Sequence, residues 1–373
     1  MKKSNSSWLF WEDEYKANDI YFREWVGWDE KVCNFEKVSA VKSNLVYGNH
    51  HTQAVVSIII PSYRRVQGLK RAIDSALRQD FNQPYEIVII DDSGSCAGDY
   101  QKIDALMQVV CKENKNIIYY RNEENLGAND NWNRTMEICK TSWFCMLHDD
   151  DEIYPNYLSQ MHGNINVFNR NDIALISPFY DLVTERGRTS QSILTSAFGK
   201  LLTLRRNKPL VLNINDALHS VFPNTVAMFI NKEKAMNIGG LNKKWGVLAD
   251  SIFFAQLVLE HKTGIFPMKL CLSNKSNDST SASPLVANYV VMSYFQRTKA
   301  IADTLRKTEQ KRLRLSSESS VFAELALLNK NVNEINQIRT KLGIKAIYNQ
   351  SWYKLILKAK KIILWGCLLL RKG

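Results

Sequence analysis

The sequence predicts an α/β fold, a mostly parallel sheet with helices on both faces. Two observations carry this. From Val55 to about residue 285, short β-branched or aromatic runs alternate with segments whose apolar residues recur at helical spacing. Two aspartate clusters, Asp91-Asp92 and Asp149 to Asp151, directly follow such runs. In an open parallel sheet that is the carboxyl edge, where ligands bind.

Taken in order, "VVSIII" (55–60) is a short β-branched strand ended by Pro61. Leu69, Ile73, Ala76 and Leu77 then mark a helix, and "YEIVII" (85–90) the next strand, ended by Asp91 and Asp92. Ile103, Leu106, Met107 and Val110 give a second helix, and "IIYY" (117–120) a third strand. Trp132, Met136 and Cys139 mark a third helix before the strand "WFCML" (143–147). Both aspartate clusters are therefore expected on one edge.

The flanks differ in texture. Residues 1–53 carry Trp8, Phe10, Trp11, Tyr15, Tyr21, Phe22, Trp25 and Trp28 among many charges, and predict an aromatic-rich helical extension packed on the body. The body is expected over 54–284, a helical and increasingly basic region over 285–350, and a basic amphipathic helix over 351–373.

The 373 residues are 45% hydrophobic, enough for a sizeable core, and carry a formal +12. Such a charge favours polyanionic partners without choosing among them. The seven cysteines are scattered with no C-x-x-C pair, so reduced thiols and a cytosolic setting are expected. The amino terminus meets acidic residues before any apolar core forms, so no secretion signal is expected. No apolar stretch approaches the roughly 20 residues of a spanning helix. Neither G-x-G-x-x-G nor a P-loop pattern occurs.

Three adjacent carboxylates repel one another and need positive compensation. As hard oxygen ligands, Asp149, Asp150 and Asp151 suit Mg²⁺ or Mn²⁺ bridging phosphate oxygens. The plainer reading has them cap a helix starting near Pro155. Asp91 and Asp92 open the turn "DDSGS" and can accept hydrogen bonds from a base or ribose, or can form a simple Asx-turn. At the end of the first strand, Tyr63 can stack on a base, and Arg64 and Arg65 can neutralise phosphates.

"VSIIIPSYRR…LKRAIDSALRQ", "YEIVIIDDSGS", "NLGANDNWNRTMEI" and "HDDDEIYPNYL" together resemble the family 2 glycosyltransferases with the GT-A fold, a Rossmann-like architecture. The ordered set covers about residues 55 to 160. "NIGGLNKKWGVLADSIFFAQL" further resembles that family's Gly-Gly-Phe…Asp segment. The resemblance implies that Pro61 and Tyr63 line a nucleoside pocket and that Asp92 holds the base with Asp91 in support. It assigns Arg65, Asn125, Gly127 and Asp149 to the nucleotide-sugar, and Asp150 and Asp151 to Mn²⁺ or Mg²⁺. Asp250 becomes the catalytic base. His148 stands where many members have the first Asp of the metal motif, and Ser276 where many have a late-loop His.

The implied reaction is inverting transfer of a sugar, from a UDP-sugar, to a hydroxyl of a glycan acceptor, lipid-linked as in surface-polysaccharide synthesis. A divalent ion would neutralise the leaving diphosphate and Asp250 would take the acceptor proton. As a residue alone, Asp250 equally suits the N-cap of the helix "SIFFAQLVLEH". Two alternatives stay open: a nucleotidyltransferase on a similar fold and a non-catalytic assembly subunit. Nucleic acid is not an expected partner, because the basic residues do not interleave with aromatics. The lysines around the apolar residues of 351–373 suit a helix lying in an anionic membrane surface, at the inner face of the cell membrane, or else one docked on protein.

Overall fold

The computed structural model describes residues 33–94, 99–184, 187–190, 209–212, 224–243 and 249–274. They belong to one compact unit, residues 31–214 and 222–276. The expected regions 285–350 and 351–373 lie outside the described residues, as do Ser276 and most of the aromatic amino-terminal segment.

The first half of the unit is the expected αβ alternation. Strands β2 (Val56–Ser62), β3 (Tyr85–Asp91), β4 (Ile117–Asn122) and β5 (Trp143–Met146) alternate with helices α2 (Val66–Leu77), α3 (Asp99–Glu113) and α4 (Ala128–Ile138). These strands lie parallel in the order β4-β3-β2-β5. Consecutive residues feed opposite faces. Ile58, Ile60, Ile87 and Ile89 join one core with Leu69, Ile73, Ile103 and Met107. Ile59, Val88, Ile90, Phe144 and Met146 join the other with Met136 and Phe253. A strand buried on both sides is apolar at nearly every position, which is why these segments read as near-continuous runs; buried Ser57 and Glu86 are exceptions and bond each other.

The sheet is mixed. Strand β10 (Met228–Asn231) lies between β5 and β7 (Ile173–Thr184), antiparallel to both. Strand β11 (Lys262–Asn274) is parallel to β7 and antiparallel to the two-residue β6 (Glu152–Ile153) and to β9 (Leu210–Leu212). β8 (Gly187–Ser190) pairs β7. Short helices α5 (Tyr157–Gly163) and α6 (Ile165–Arg170) link β6 to β7, and α7 (Lys232–Asn237) follows β10. Helix α8 (Ala249–Glu260) leads into β11 after His261 alone.

Two boundaries differ from the sequence reading. Residues 33–53, expected in a helical extension, hold a short helix α1 (Phe35–Ser39) and an edge strand β1 (Ser43–Tyr47) antiparallel to β4. The body therefore begins before residue 54. Strand β2 also runs through Pro61 to Ser62. Proline lacks a ladder donor, but β5 pairs β2 only over Ser57–Ile59, so Pro61 faces a ladder on the β3 side alone.

Candidate active site

That early parting of β2 and β5 opens the carboxyl edge. From β2 the chain goes to β3 on one side, while β5 lies on the other, so the gap is a topological switch point, where ligands bind in open α/β sheets. Asp149 spans it. Its Oδ2 accepts hydrogen bonds from Ser62 Oγ and Tyr63 N, each at 3.1 Å. Arg65 Nη1 approaches its Oδ1 at 3.4 Å and donates to Asp150 Oδ2 at 2.8 Å. Gly68 makes room for the loop, since a Cβ there would meet the Asp149 carbonyl oxygen at 2.4 Å.

The three aspartates thus divide their work, and none of the recorded bonds caps α5, whose N-cap is Asn156. Asp149 stitches the strand ends together. Asp150 is half-buried and faces Arg65. Asp151 is 3% exposed and is held from behind by Asn274 N at 3.2 Å. Asn274 Nδ2 also donates to Asp150 O and to Glu152 Oε1. Burial pushes Asp149 up to about 6 against the pull of Arg65. It pushes Asp151 up to about 7, with Asp150 adding to the rise. Arg65 thus compensates Asp149 and Asp150, whereas among the described residues Asp151 has only His148 at salt-bridge distance, its Nδ1 3.7 Å away.

His148, Asp150 and Asp151 bring one donor atom each within 4.8 Å of one another. Burial lowers the His148 pKa, so its ring is neutral at pH 7 and offers a lone pair. Its Nε2 is buried without a hydrogen-bond partner among the described residues. A set of two carboxylates and one neutral imidazole, with Nδ1 3.7 Å from an under-compensated Asp151, fits a divalent cation.

The second cluster faces two ways. Asp91 is fully buried, accepting from Tyr119 Oη at 2.7 Å and from Ser93 N at 2.9 Å. Asp92, 2% exposed, organises the loop after β4. Its Oδ1 accepts from Asn122 Nδ2 at 2.7 Å and Leu126 N at 2.8 Å, and its Oδ2 from Gly127 N at 2.9 Å. Asn125 Nδ2 donates to the Asp92 carbonyl at 2.8 Å. Gly127 sits at φ +80° before α4, a conformation that favours glycine. Asn125, Gly127 and Asp92 are thus one hydrogen-bonded unit, with three of the four carboxylate lone pairs already used.

Pro61 is buried inside β2. Tyr63 is 45% exposed at the mouth, with Arg64 Cζ 4.9 Å from its ring centroid. Arg64 adopts φ +58°, a left-handed turn that suits Asn better than Arg. Asp250 lies in the first turn of α8. Because β11 runs parallel to β7, and β7 and β5 are both antiparallel to β10, β11 runs in the same direction as β2. A helix packed back along the sheet before β11 starts at the carboxyl edge, so connectivity brings Asp250 to the same edge as the aspartate clusters.

Ser62, Asn122 and Asn274 escaped the sequence reading, which placed Trp132 on a helix without a role at the site, where its ring lies 5.0 Å from that of His148. Ser62 and Asn122 end strands at the expected edge, which is a usable signal. Asn274 carries no local signal, being 123 residues from the Asp151 carboxylate it serves.

Residues 57–229 match the family model described as Glycosyl transferase family 2. An uncharacterized glycosyltransferase of Rickettsia felis is 30% identical over 37% of this chain and 22% of its own length. The GalNAc(5)-diNAcBac-PP-undecaprenol beta-1,3-glucosyltransferase of Campylobacter jejuni is 30% identical over 30% of this chain and 34% of its own. The chain thus spans about a fifth and a third of these relatives. A mannosyltransferase from Pyrobaculum calidifontis, solved with GDP-Man and Mn²⁺, is 12% identical with a TM-score of 0.47, over 90% of this chain and 92% of that one. So distant a likeness leaves the assignment resting on the sequence match. Residues 57–229, which hold both aspartate clusters, are thus the part of the chain that matches the glycosyl transferase family 2 model.

Proposed function

We propose that this protein transfers a sugar, with inversion, from a nucleoside-diphosphate sugar to a glycan hydroxyl. The observation that carries this reading is the gathering of Asp149, Asp150, Asp151 and His148 beside the Asp92–Gly127 loop at the switch point. Tyr63 offers a base its exposed ring. Arg65 offers the diphosphate a guanidinium. Asp150 and Asp151 would hold Mn²⁺ or Mg²⁺, and such an ion, when bound, supplies Lewis-acid neutralisation of the departing diphosphate. Asp250 accepts the acceptor's proton as general base, and attack from the face opposite the leaving group inverts the anomeric centre. A UDP-sugar donor and a lipid-linked acceptor follow by analogy, the acceptor from the Campylobacter relative's name.

A donor panel tests this by thermal shift, using UDP, GDP and nucleotide sugars with Mn²⁺ or EDTA. Ligand at a hundredfold excess over its dissociation constant stabilises by about 2.7 kcal/mol. The shift should need Mn²⁺, Asp150→Ala should remove that dependence, and Tyr63→Ala should weaken binding where Tyr63→Phe does not. Release of nucleoside diphosphate in the presence of an acceptor supports transfer. Pyrophosphate release would instead support a nucleotidyltransferase, and binding without turnover an assembly subunit.

Membrane seating of residues 351–373 belongs to the same reading. Among the described residues no helix is long and apolar enough to cross a membrane, and this segment's basic-apolar pattern suits the inner membrane surface. Full-length protein should sediment with vesicles containing acidic lipid, and protein lacking 351–373 should not. Indifference of the full chain to both acidic and neutral vesicles would leave docking on protein as the better account.

A further inference from the structure

The aspartate turn has an unusual member. His148 closes β5 and begins the turn in which Asp151 N donates to its carbonyl at 3.1 Å. Its ring packs on Trp132 with centroids 5.0 Å apart and planes at 38°. That contact and burial hold the ring against the cluster. Nδ1 lies 3.7 Å from Asp151 Oδ2, too far for a hydrogen bond. Donors sharing one ion at bonds of about 2.1 Å stand about 3 to 4 Å apart, so the separation suits a shared ion better than a direct contact. Nδ1 is therefore the donor nitrogen, and Nε2, buried and unpartnered among the described residues, carries the ring proton. Among the described residues this imidazole has no hydrogen-bond partner.

We propose that His148 is a nitrogen ligand of the divalent ion, completing a His148-Asp150-Asp151 site that prefers Mn²⁺ or Co²⁺ to Mg²⁺. The inference rests on the metal reading above and goes beyond it to the kind of ion. Mg²⁺ is hard, prefers oxygen donors and demands near-ideal octahedral geometry. Imidazole favours the later first-row ions. An all-carboxylate site would bind Mg²⁺ without penalty, whereas a neutral ring nitrogen in place of one carboxylate reduces both the site's negative charge and its hardness. Trp132 fixes the ring without hydrogen-bonding to it, leaving the lone pair for the ion.

Electron spin-echo spectroscopy of the full-length protein loaded with Mn²⁺, alone and with UDP, reads the ligand directly. Nitrogen-14 modulation characteristic of imidazole should be present in the native protein and absent in His148→Phe, which keeps an aromatic ring on Trp132. Calorimetric Mn²⁺ affinity should fall on the order of tenfold or more in His148→Phe, since even a disturbed outer-shell partner costs that much. His148→Asp should narrow or reverse the preference for Mn²⁺ over Mg²⁺. His148→Gln serves if the Phe variant fails to fold, and the native spectrum needs no variant. Bound Mn²⁺ without nitrogen modulation, or an unchanged ion preference in His148→Asp, overturns the role of His148 while leaving the metal reading standing. No Mn²⁺ binding with or without UDP overturns both.

Discussion

Asp250→Asn is expected to leave nucleotide binding intact while turnover falls about 10²–10⁴-fold, the usual worth of a positioned general base. The carboxamide keeps the size and the hydrogen-bonding oxygen of the side chain in the first turn of α8, so the helix start survives. It cannot accept the acceptor's proton. The helix is anchored independently of Asp250 by Ala249, Phe253, Phe254 and Leu257, all in the core on that face of the sheet. The measurement is a steady-state assay of nucleoside diphosphate release, beside thermal shift with UDP and Mn²⁺. Turnover within a few-fold of native would make Asp250 a helix-start residue and move the base elsewhere.

Asp92→Ala is expected to be the most destabilising single change at the site. It strands the backbone donors of Leu126 and Gly127 and the amide of Asn122. A buried donor left unpaired costs about 1–3 kcal/mol; the Asn122 amide is buried but keeps its bond to Asn131 Oδ1 at 3.0 Å, and the Leu126 and Gly127 amides are part-buried. A total of about 1–3 kcal/mol should appear as a lower urea midpoint, with nucleotide binding weakened as the Asn125–Gly127 loop loosens. The loss also has a pH signature. Burial outweighs the hydrogen bonds and pushes Asp92 up to about 6 from its ordinary 3.8. Between those values the folded chain keeps a proton that the unfolded chain has released. Stability from this group is therefore full below about pH 4 and declines as pH rises toward 6. The gap between native protein and Asp92→Ala should accordingly narrow between pH 4 and pH 6 in urea titrations. A gap that widens over that window would mean that the hydrogen bonds win.

Much of this site was legible because the relevant signals are local. A strand buried on both faces needs a nearly unbroken apolar run, so "IIIP", "IVIIDD" and "FCMLHDDD" announce both a strand and where it ends. A carboxylate at such an end belongs to the sheet edge. What escaped depends on partners far along the chain. Residues 43–47 read as part of a helical flank because β1 becomes a strand only through its pairing with β4, some 75 residues on. The four residues of β10 hold no periodicity that could announce an antiparallel insertion between β5 and β7.

By itself, then, the sequence determined the α/β class, the parallel core and which carboxylates meet at one edge, since each follows from side-chain patterns within a few residues. Only the tertiary structure decided how three adjacent aspartates differ. Asp149 turns back to Ser62 and Arg65 because β2 and β5 part after Ile59. Asp151 is buried and gripped from behind because β6 pairs with β11 and brings Asn274 to it. Asp150, between them, keeps a side chain that is 21% exposed toward the opening. Identical side chains acquire different burial and different tasks from partners more than 80 residues away, and no local pattern encodes those.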